Sequence, residues 1–100
     1  MRSLKEVKII VDVLRLKPGC YYKMKMTDGD TWLFEFKEYD HESYGLNNIE
    51  IISGEAYCVE SDHYFYETSG LCQVNDIMWD TMVRISLKEF NIISGREIIQ

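Results

Sequence analysis

The first element that the pattern predicts is an amphipathic helix near the amino terminus. Ser3-Leu4-Lys5-Glu6 has the form of a capping box, in which a Ser hydroxyl and a Glu carboxylate each accept from the other's backbone amide. Apolar residues then recur at spacings of three and four, at Leu4, Val7, Ile10, Val11 and Leu14. We therefore predict a helix over residues 1–16, ended by Pro18-Gly19. The β-branched residues 9–13 leave a strand as the alternative.

Two strands and a tight turn follow, because the apolar period changes to two. Cys20, Tyr22, Met24 and Met26 alternate with more polar residues, and after the turn Trp32, Phe34 and Phe36 do the same. Asp28-Gly29 suits a two-residue hairpin connection, which needs positive φ angles. The pattern predicts strands from residue 20 and from 31 to about 38, with the aromatic side chains facing a core.

Shorter β segments are predicted over residues 49–86. We expect strands at 49–52 and 55–60 around a turn at Ser53-Gly54, and a hairpin of 63–67 and 71–74 around Thr68-Ser69-Gly70. A strand at 78–86 would point Trp79, Thr81, Val83 and Ile85 inward. Ser86-Leu87-Lys88-Glu89 repeats the capping-box pattern and predicts a short capped helix at 87–92. The fold class is mainly β: a small antiparallel barrel over 20–86 with an N-terminal helix and a short C-terminal helical turn.

Three segments carry a resemblance to a known group. They are Leu16-Lys17-Pro18-Gly19-Cys20-Tyr21-Tyr22-Lys23, Trp32-Leu33-Phe34-Glu35-Phe36-Lys37 and Met82-Val83-Arg84-Ile85-Ser86-Leu87-Lys88-Glu89-Phe90. In these segments the chain resembles small SH3-like barrel proteins of bacteriophages and mobile elements of gut bacteria. The resemblance implies an SH3-like barrel over residues 16–92 and a phage or mobile-element origin. It implies no particular activity, since a fold does not determine a function.

Length and composition agree with one small folded unit. A chain of 100 residues with 46% hydrophobic residues is long enough for one core, so a single domain over 1–100 is predicted. The longest apolar run is far shorter than a membrane span, and no secretory signal follows Met1. Three cysteines without a disulfide spacing pattern suit reduced thiols. These observations predict a cytoplasmic protein.

Charge is distributed unevenly along the chain. Of 17 acidic residues, 13 lie between residues 28 and 80, where Lys37 is the only Lys or Arg. Seven of the 11 basic residues lie in 1–27. A solvated acidic face that keeps the protein soluble is the ordinary explanation. The alternative is a surface whose carboxylates replace nucleic-acid phosphates on a cationic partner while tyrosines provide rigid contact area.

That alternative leads to a specific functional prediction. We predict a non-enzymatic protein-binding module that occludes the nucleic-acid-binding groove of a basic host protein, such as a nuclease of a bacterial defence system. The predicted partner-binding residues are Glu55, Tyr57, Glu60, Asp62, Tyr64, Tyr66, Glu67, Asp40 and Glu42. The competing structural explanation is that these tyrosines pack the wall of the barrel.

Two other functions remain open at this stage. The first is a nucleic-acid-binding barrel that uses the basic amino-terminal end, with Lys5, Lys8, Arg15, Lys17, Lys23 and Lys25. The second is a structural or oligomeric phage component.

Catalytic and metal-binding motifs are not expected. The spacings of His41, Cys58, His63 and Cys72 are not those of a zinc finger or ribbon, and Asp28-Gly29-Asp30 lacks the rest of a calcium loop. Cys58 and His63 form a near pair without an oxyanion motif. We therefore predict no enzyme, no metal and no cofactor.

Overall fold

The computed structural model describes residues 15–40 and 49–96, which form an antiparallel sheet and one α-helix. The elements are β1 (Tyr21–Met26), β2 (Thr31–Asp40), β3 (Glu50–Cys58), β4 (His63–Phe65), β5 (Thr68–Gln73), a 3-10 turn (Val74–Asp76), β6 (Ile77–Ile85) and α1 (Leu87–Ser94). The mainly β prediction is confirmed. The predicted N-terminal helix lies outside the described residues, apart from Arg15 and Leu16, which are not helical.

The sheet has six strands in the order β4-β3-β2-β1-β6, and β5 also pairs with β3. β1 is an internal strand, because it pairs with β2 on one side and with β6 on the other. The β1–β2 turn occupies residues 27–30, where the sequence predicts it, although four residues rather than two separate the strands. Gly29 has a φ of 96°, and the Asp28 carboxylate accepts from the amide of Asp30 at 2.9 Å. The turn therefore depends on the conformational freedom of Gly29 and on the side-chain acceptor of Asp28.

β3 is one continuous strand, so the predicted turn at Ser53-Gly54 is wrong. Its register shifts near Ser53 where it pairs with β2 and with β5, so these residues bend a strand instead of reversing it. The predicted hairpin around Thr68-Ser69-Gly70 is also wrong, because this segment is the start of β5. β4 and β5 both pair with β3, at its two ends.

β6 contains an irregular bulge opposite β1. Lys23 pairs with Val83 but Lys25 pairs with Met78, so β6 has extra residues between these two positions. The Thr81 hydroxyl fills the gap by accepting from the Lys25 amide at 2.8 Å and donating to the Met78 carbonyl at 2.6 Å. After the bulge Met82 is buried and Val83 is exposed, so the predicted inward position of Val83 is wrong.

Both faces of the sheet are covered. The main core contains Tyr22, Met24, Met26, Phe34, Phe36, Ile51, Ala56, Val74, Ile77, Trp79 and Met82, with Leu16. The alternation predicted for β1 and β2 is therefore confirmed. A second cluster on the opposite face, here called the outer face, joins Leu33, Tyr57, Ile85 and Phe90.

Helix α1 begins at the predicted residue and ends two residues later than predicted. The Ser86 hydroxyl accepts from the Glu89 amide at 3.0 Å, and Gly95 closes the helix with a φ of 72°. Phe90 is the buried residue of this helix. Within residues 15–40 and 49–96, no helix is long and apolar enough to cross a membrane.

Candidate functional site

The aromatic residues of the outer face are organised by helix α1. The Phe90 ring lies 5.1 Å from the Tyr21 ring and 6.5 Å from the Tyr64 ring, measured between centroids. Phe90 is fully buried against Leu33 and Tyr57. The helix therefore covers part of the surface that the sequence assigned to partner binding.

Glu55 is held between two tyrosine hydroxyls beside this helix. Tyr21 donates to Glu55 Oε2 at 2.7 Å, and Tyr64 donates to Oε1 at 2.6 Å. Burial, followed by the hydrogen bond to Glu55, raises the pKa of Tyr64 to about 12 and raises the pKa of Tyr21 further. With both oxygens occupied, this carboxylate is a poor candidate for contact with a partner's Lys or Arg.

Tyr57 is buried, with 7% of its surface exposed, so little of it is accessible for the predicted partner contact. Its hydroxyl donates to Asp62 Oδ1 at 2.6 Å, and this hydrogen bond is the main cause of a raised Tyr57 pKa. Asp62 has a φ of 51°, in the left-handed region that Asp tolerates better than most residues. The pair fixes the β3–β4 turn and leaves the rest of the Asp62 carboxylate exposed.

Tyr66 is the tyrosine of the predicted set that remains accessible, with 76% of its surface exposed. The Arg96 guanidinium lies 3.7 Å from the centroid of the Tyr64 ring and 5.6 Å from that of Tyr66, positions typical of cation–π contacts. Glu67 is exposed and lies 3.8 Å from Lys37 Nζ. The neighbourhood of Tyr66 and Glu67 thus contains two cations and is not a purely acidic surface.

A group of carboxylates is instead brought together where two turns meet. The Thr31 amide donates to Glu60 Oε1 at 2.6 Å, and the Val59 amide donates to the Thr31 carbonyl at 3.0 Å. The Thr27 amide donates to the Asp76 carbonyl at 2.9 Å, and this hydrogen bond joins the 3-10 turn to the β1–β2 turn. We call this region the acidic end; it contains Asp28, Asp30, Glu60, Asp62 and Asp76.

Glu60 is the best fixed carboxylate of the acidic end. Its pKa is lowered, chiefly because the Thr31 amide donates to it, and Lys25 contributes a smaller lowering. The backbone amide of Glu60 and the Thr31 hydroxyl also donate to the carboxylate, and the residue is nevertheless exposed. Glu60 is therefore ionised at neutral pH and held in place by the backbone of Thr31.

The structure places the residues of the predicted set in two neighbouring groups. Glu60 and Asp62 lie at the acidic end, and Glu55 and Tyr64 lie beside α1. Tyr57, beneath α1, connects the two groups through its hydrogen bond to Asp62. Asp40, at the far end of β2, is half-buried, and Glu42 lies outside the described residues. The sequence pattern did not single out Asp28, Asp30 and Asp76, because the turn explained Asp28 and Asp30 and no role was predicted for Asp76. The alternation of polar and apolar residues does not reveal which turns are neighbours.

A basic cleft lies at the other end of β1. It has a volume of about 180 Å³ and is lined by Arg15, Leu16, Lys17, Tyr22, Met82 and Arg84. The Lys17 amide donates to the Tyr22 hydroxyl at 2.9 Å, and the Arg15 guanidinium donates to the Met82 carbonyl at 3.1 Å. Charge is thus separated along β1, with cations at its start and carboxylates at its end.

The three cysteines differ in their surroundings. All three are free, which agrees with the expected reduced thiols, and Cys58 is buried. Burial, followed by the charges of Asp76 and Glu50, raises the pKa of Cys72 to about 12. Cys72 is therefore a neutral thiol in this structure.

Comparison with known proteins found no match among family models, curated proteins or solved structures, so the functional argument rests on the geometry of the described residues.

Proposed function

We propose that this protein is a non-enzymatic protein-binding module whose acidic end docks on a cationic groove of a nucleic-acid-binding protein. The observation that carries the proposal is the meeting of two acidic turns, held by the hydrogen bonds from Thr31 to Glu60 and from Val59 to Thr31. Fixed carboxylates can replace phosphates as acceptors for Lys and Arg without the entropic cost of ordering a loop.

The acidic end suits such docking better than the tyrosine-rich segment does. Asp28, Glu60, Asp62 and Asp76 are exposed, whereas Glu55 and Tyr57 are occupied by contacts within the protein. Val59, which follows β3, and Met78, in β6, are exposed apolar residues. A small apolar contact surrounded by charges is a common composition for an interface.

In this proposal the mode of action is occlusion. The acidic end occupies the groove that would otherwise hold nucleic acid, and inhibition of a nuclease of bacterial defence is the case that we favour. Binding of this kind should weaken as salt rises, because it depends on charges in water.

An SH3-like barrel is the form of the fold that we propose. Three features support it: β1 pairs with both β2 and β6, β3 bends near Ser53, and a 3-10 turn precedes the last strand. The main core draws buried residues from β1, β2, β3 and β6, as expected when a sheet curls around one interior. A curled sheet would present the acidic end as a compact rim.

The test compares two variants of equal charge. Asp30→Asn, Glu60→Gln and Asp62→Asn together remove three of the five carboxylates of the acidic end while keeping oxygen acceptors for Thr31 and Tyr57. The matched control carries Glu38→Gln, Glu67→Gln and Glu89→Gln, three exposed carboxylates outside the acidic end. Tagged protein is incubated with bacterial lysate and eluted in rising salt, with and without added double-stranded DNA.

We expect the unmodified protein and the control variant to retain the same nucleic-acid-binding protein, and the acidic-end variant to lose it. Added DNA should displace that partner, because both would compete for one groove. Equal retention by the two variants, or retention that DNA does not affect, would show that the proposal is wrong.

The basic cleft favours a second candidate function, the binding of a nucleic-acid backbone. Arg15, Lys17 and Arg84 line it, and Lys23 and Lys25 are exposed on β1. Fluorescence anisotropy with a labelled oligonucleotide separates the two candidates. Binding that is lost in an Arg84→Gln and Lys17→Gln variant would favour the second candidate, and no binding at low salt would exclude it.

A further inference from the structure

Three potential metal ligands meet at the acidic end, although they are distant in sequence. The metal-binding atoms of Asp30, Cys58 and Glu60 all lie within 4.8 Å of one another. Asp30 belongs to the β1–β2 turn, Cys58 ends β3, and Glu60 lies in the β3–β4 turn. The pairing of Trp32 with Cys58 and the hydrogen bond from Thr31 to Glu60 hold them together.

The buried thiol distinguishes this cluster from an ordinary acidic surface. Cys58 has 2% of its surface exposed, and no hydrogen bond of its thiol is found within the described parts of the chain. Its sulfur nevertheless faces the oxygens of two carboxylates. A buried ligand atom without a partner, aimed at two acidic groups, is the arrangement that a cation would complete.

We propose that Asp30, Cys58 and Glu60 form a binding site for a zinc ion. Ligands of tetrahedral zinc lie about 3.5 Å from one another, given metal–ligand distances of about 2.0–2.3 Å. Small side-chain rotations would therefore bring the three groups into range. The thiolate selects a zinc-like ion over magnesium or calcium, which take oxygen ligands.

The surroundings of the cluster suit this role. The Thr31 amide orients the Glu60 carboxylate, as supporting hydrogen bonds do in known metal sites. His63 lies opposite Cys58 in the β3–β4 register, so both side chains share one face of the sheet. The His63 nitrogens are not part of the cluster, so a water molecule would complete the tetrahedron.

Zinc would change the acidic end in two ways. It would join the β1–β2 and β3–β4 turns, and it would offset the charge of Asp30 and Glu60. Metal binding would thereby reduce the attraction of the acidic end for a cationic partner. The inference goes beyond the proposed docking function, because the cluster can bind zinc whether or not a partner exists.

The experiment titrates Co²⁺ into the reduced, metal-free protein. Cobalt bound by a thiolate has a sulfur-to-metal charge-transfer absorption that carboxylate sites lack, and added Zn²⁺ should abolish it. We expect one equivalent to bind with this absorption. Cys58→Ala should remove the band and weaken cobalt binding by more than about tenfold. Cys72→Ala is the matched control, because it removes another thiol that lies near carboxylates.

A second variant protects the test from loss of folding. Asp30→Asn with Glu60→Gln changes residues of the turns and keeps an acceptor for the Thr31 amide, so the metal-free thermal transition should be little altered. It too should bind cobalt more than about tenfold more weakly. The site is refuted if saturating cobalt gives no thiolate band, or if this variant or Cys58→Ala binds as tightly as the unmodified protein.

The outcome is separable from that of the docking proposal. Cys58→Ala leaves every carboxylate of the acidic end in place, so partner retention in the presence of a chelator should not depend on it. Loss of the cobalt band with unchanged partner retention would reflect the metal site alone.

Discussion

Replacement of Phe90 by Ala tests whether helix α1 is an integral part of the fold. Phe90 is fully buried on the outer face, where it packs against Leu33, Tyr57 and Ile85. Truncation of a buried Phe to Ala costs about 3–5 kcal/mol. Loss of its ring contacts with Tyr21 and Tyr64 places the expected cost near the middle of that range, about 4 kcal/mol.

Such a cost is a large share of the stability of a small domain, which is about 5–15 kcal/mol. Urea unfolding, followed by far-ultraviolet circular dichroism, measures the change in the free energy of unfolding. Near-ultraviolet circular dichroism reports the tyrosines beneath the helix. Ile92→Ala is the control on the same helix, since Ile92 is 51% exposed, and its effect should stay within about 0.5 kcal/mol.

Two results would contradict this reasoning. A loss below about 1 kcal/mol with an unchanged tyrosine signal would mean that the helix does not depend on Phe90. A loss equal to that of Ile92→Ala would mean that burial does not distinguish the two positions. If the helix instead detaches alone, the tyrosine signal should collapse before the sheet unfolds.

Three further predictions concern stability. Ser86→Ala should lower the free energy of unfolding by about 1 kcal/mol through loss of the cap to the Glu89 amide, whereas Ser86→Asp should retain it; equal urea midpoints for the two would contradict the cap. Trp79→Phe leaves the buried Val74 carbonyl without its indole donor at 3.0 Å and should cost about 1–3 kcal/mol in the same assay, and a neutral effect would contradict that hydrogen bond. The contribution of Tyr64 to stability should be constant up to about pH 10 and fall as pH rises towards 12, because the Tyr64 pKa is raised to about 12 and the unfolded chain loses that proton first. In Tyr64→Phe the fall in the urea midpoint above pH 10 should be shallower, and an identical slope would exclude this contribution.

The sequence predicted those elements in which local pattern and tertiary structure agree. The alternation of apolar and polar residues in β1 and β2 correctly predicted their buried faces. Ser86 correctly predicted the start of α1, because a helix cap depends on only a few neighbouring residues. Val83 was misplaced because the bulge around Thr81 adds residues that the period of two does not anticipate. Ser53-Gly54 is predicted as a turn because Ser and Gly are common in turns. In the structure, pairing of β3 with β2 and with β5 keeps these residues extended.

The site was harder to predict than the fold because it depends on which side chains face one another. Tyr57 and Tyr64 are predicted to contact a partner, but the sequence does not show which tyrosines face outward, and α1 packs beside these two. The sequence contains one signal of this burial. Leu33, Tyr57 and Ile85 are apolar residues on the outer face of three strands, which indicates that another element covers this face. The meeting of Asp30, Cys58 and Glu60 depends on pairing between turns and has no local signature.

The position of β1 between β2 and β6 has a consequence for how the chain folds. β1 and β2 are joined by four residues, whereas the Lys25–Thr81 hydrogen bond joins positions 56 residues apart. Closing that long loop costs more chain entropy, so the β1–β2–β3 meander should form before β6 docks. Helix α1 must come later still, because Ile85 of β6 forms part of the surface that receives Phe90. Substitutions in the β1–β2 turn should therefore slow refolding, whereas Phe90→Ala should chiefly accelerate unfolding.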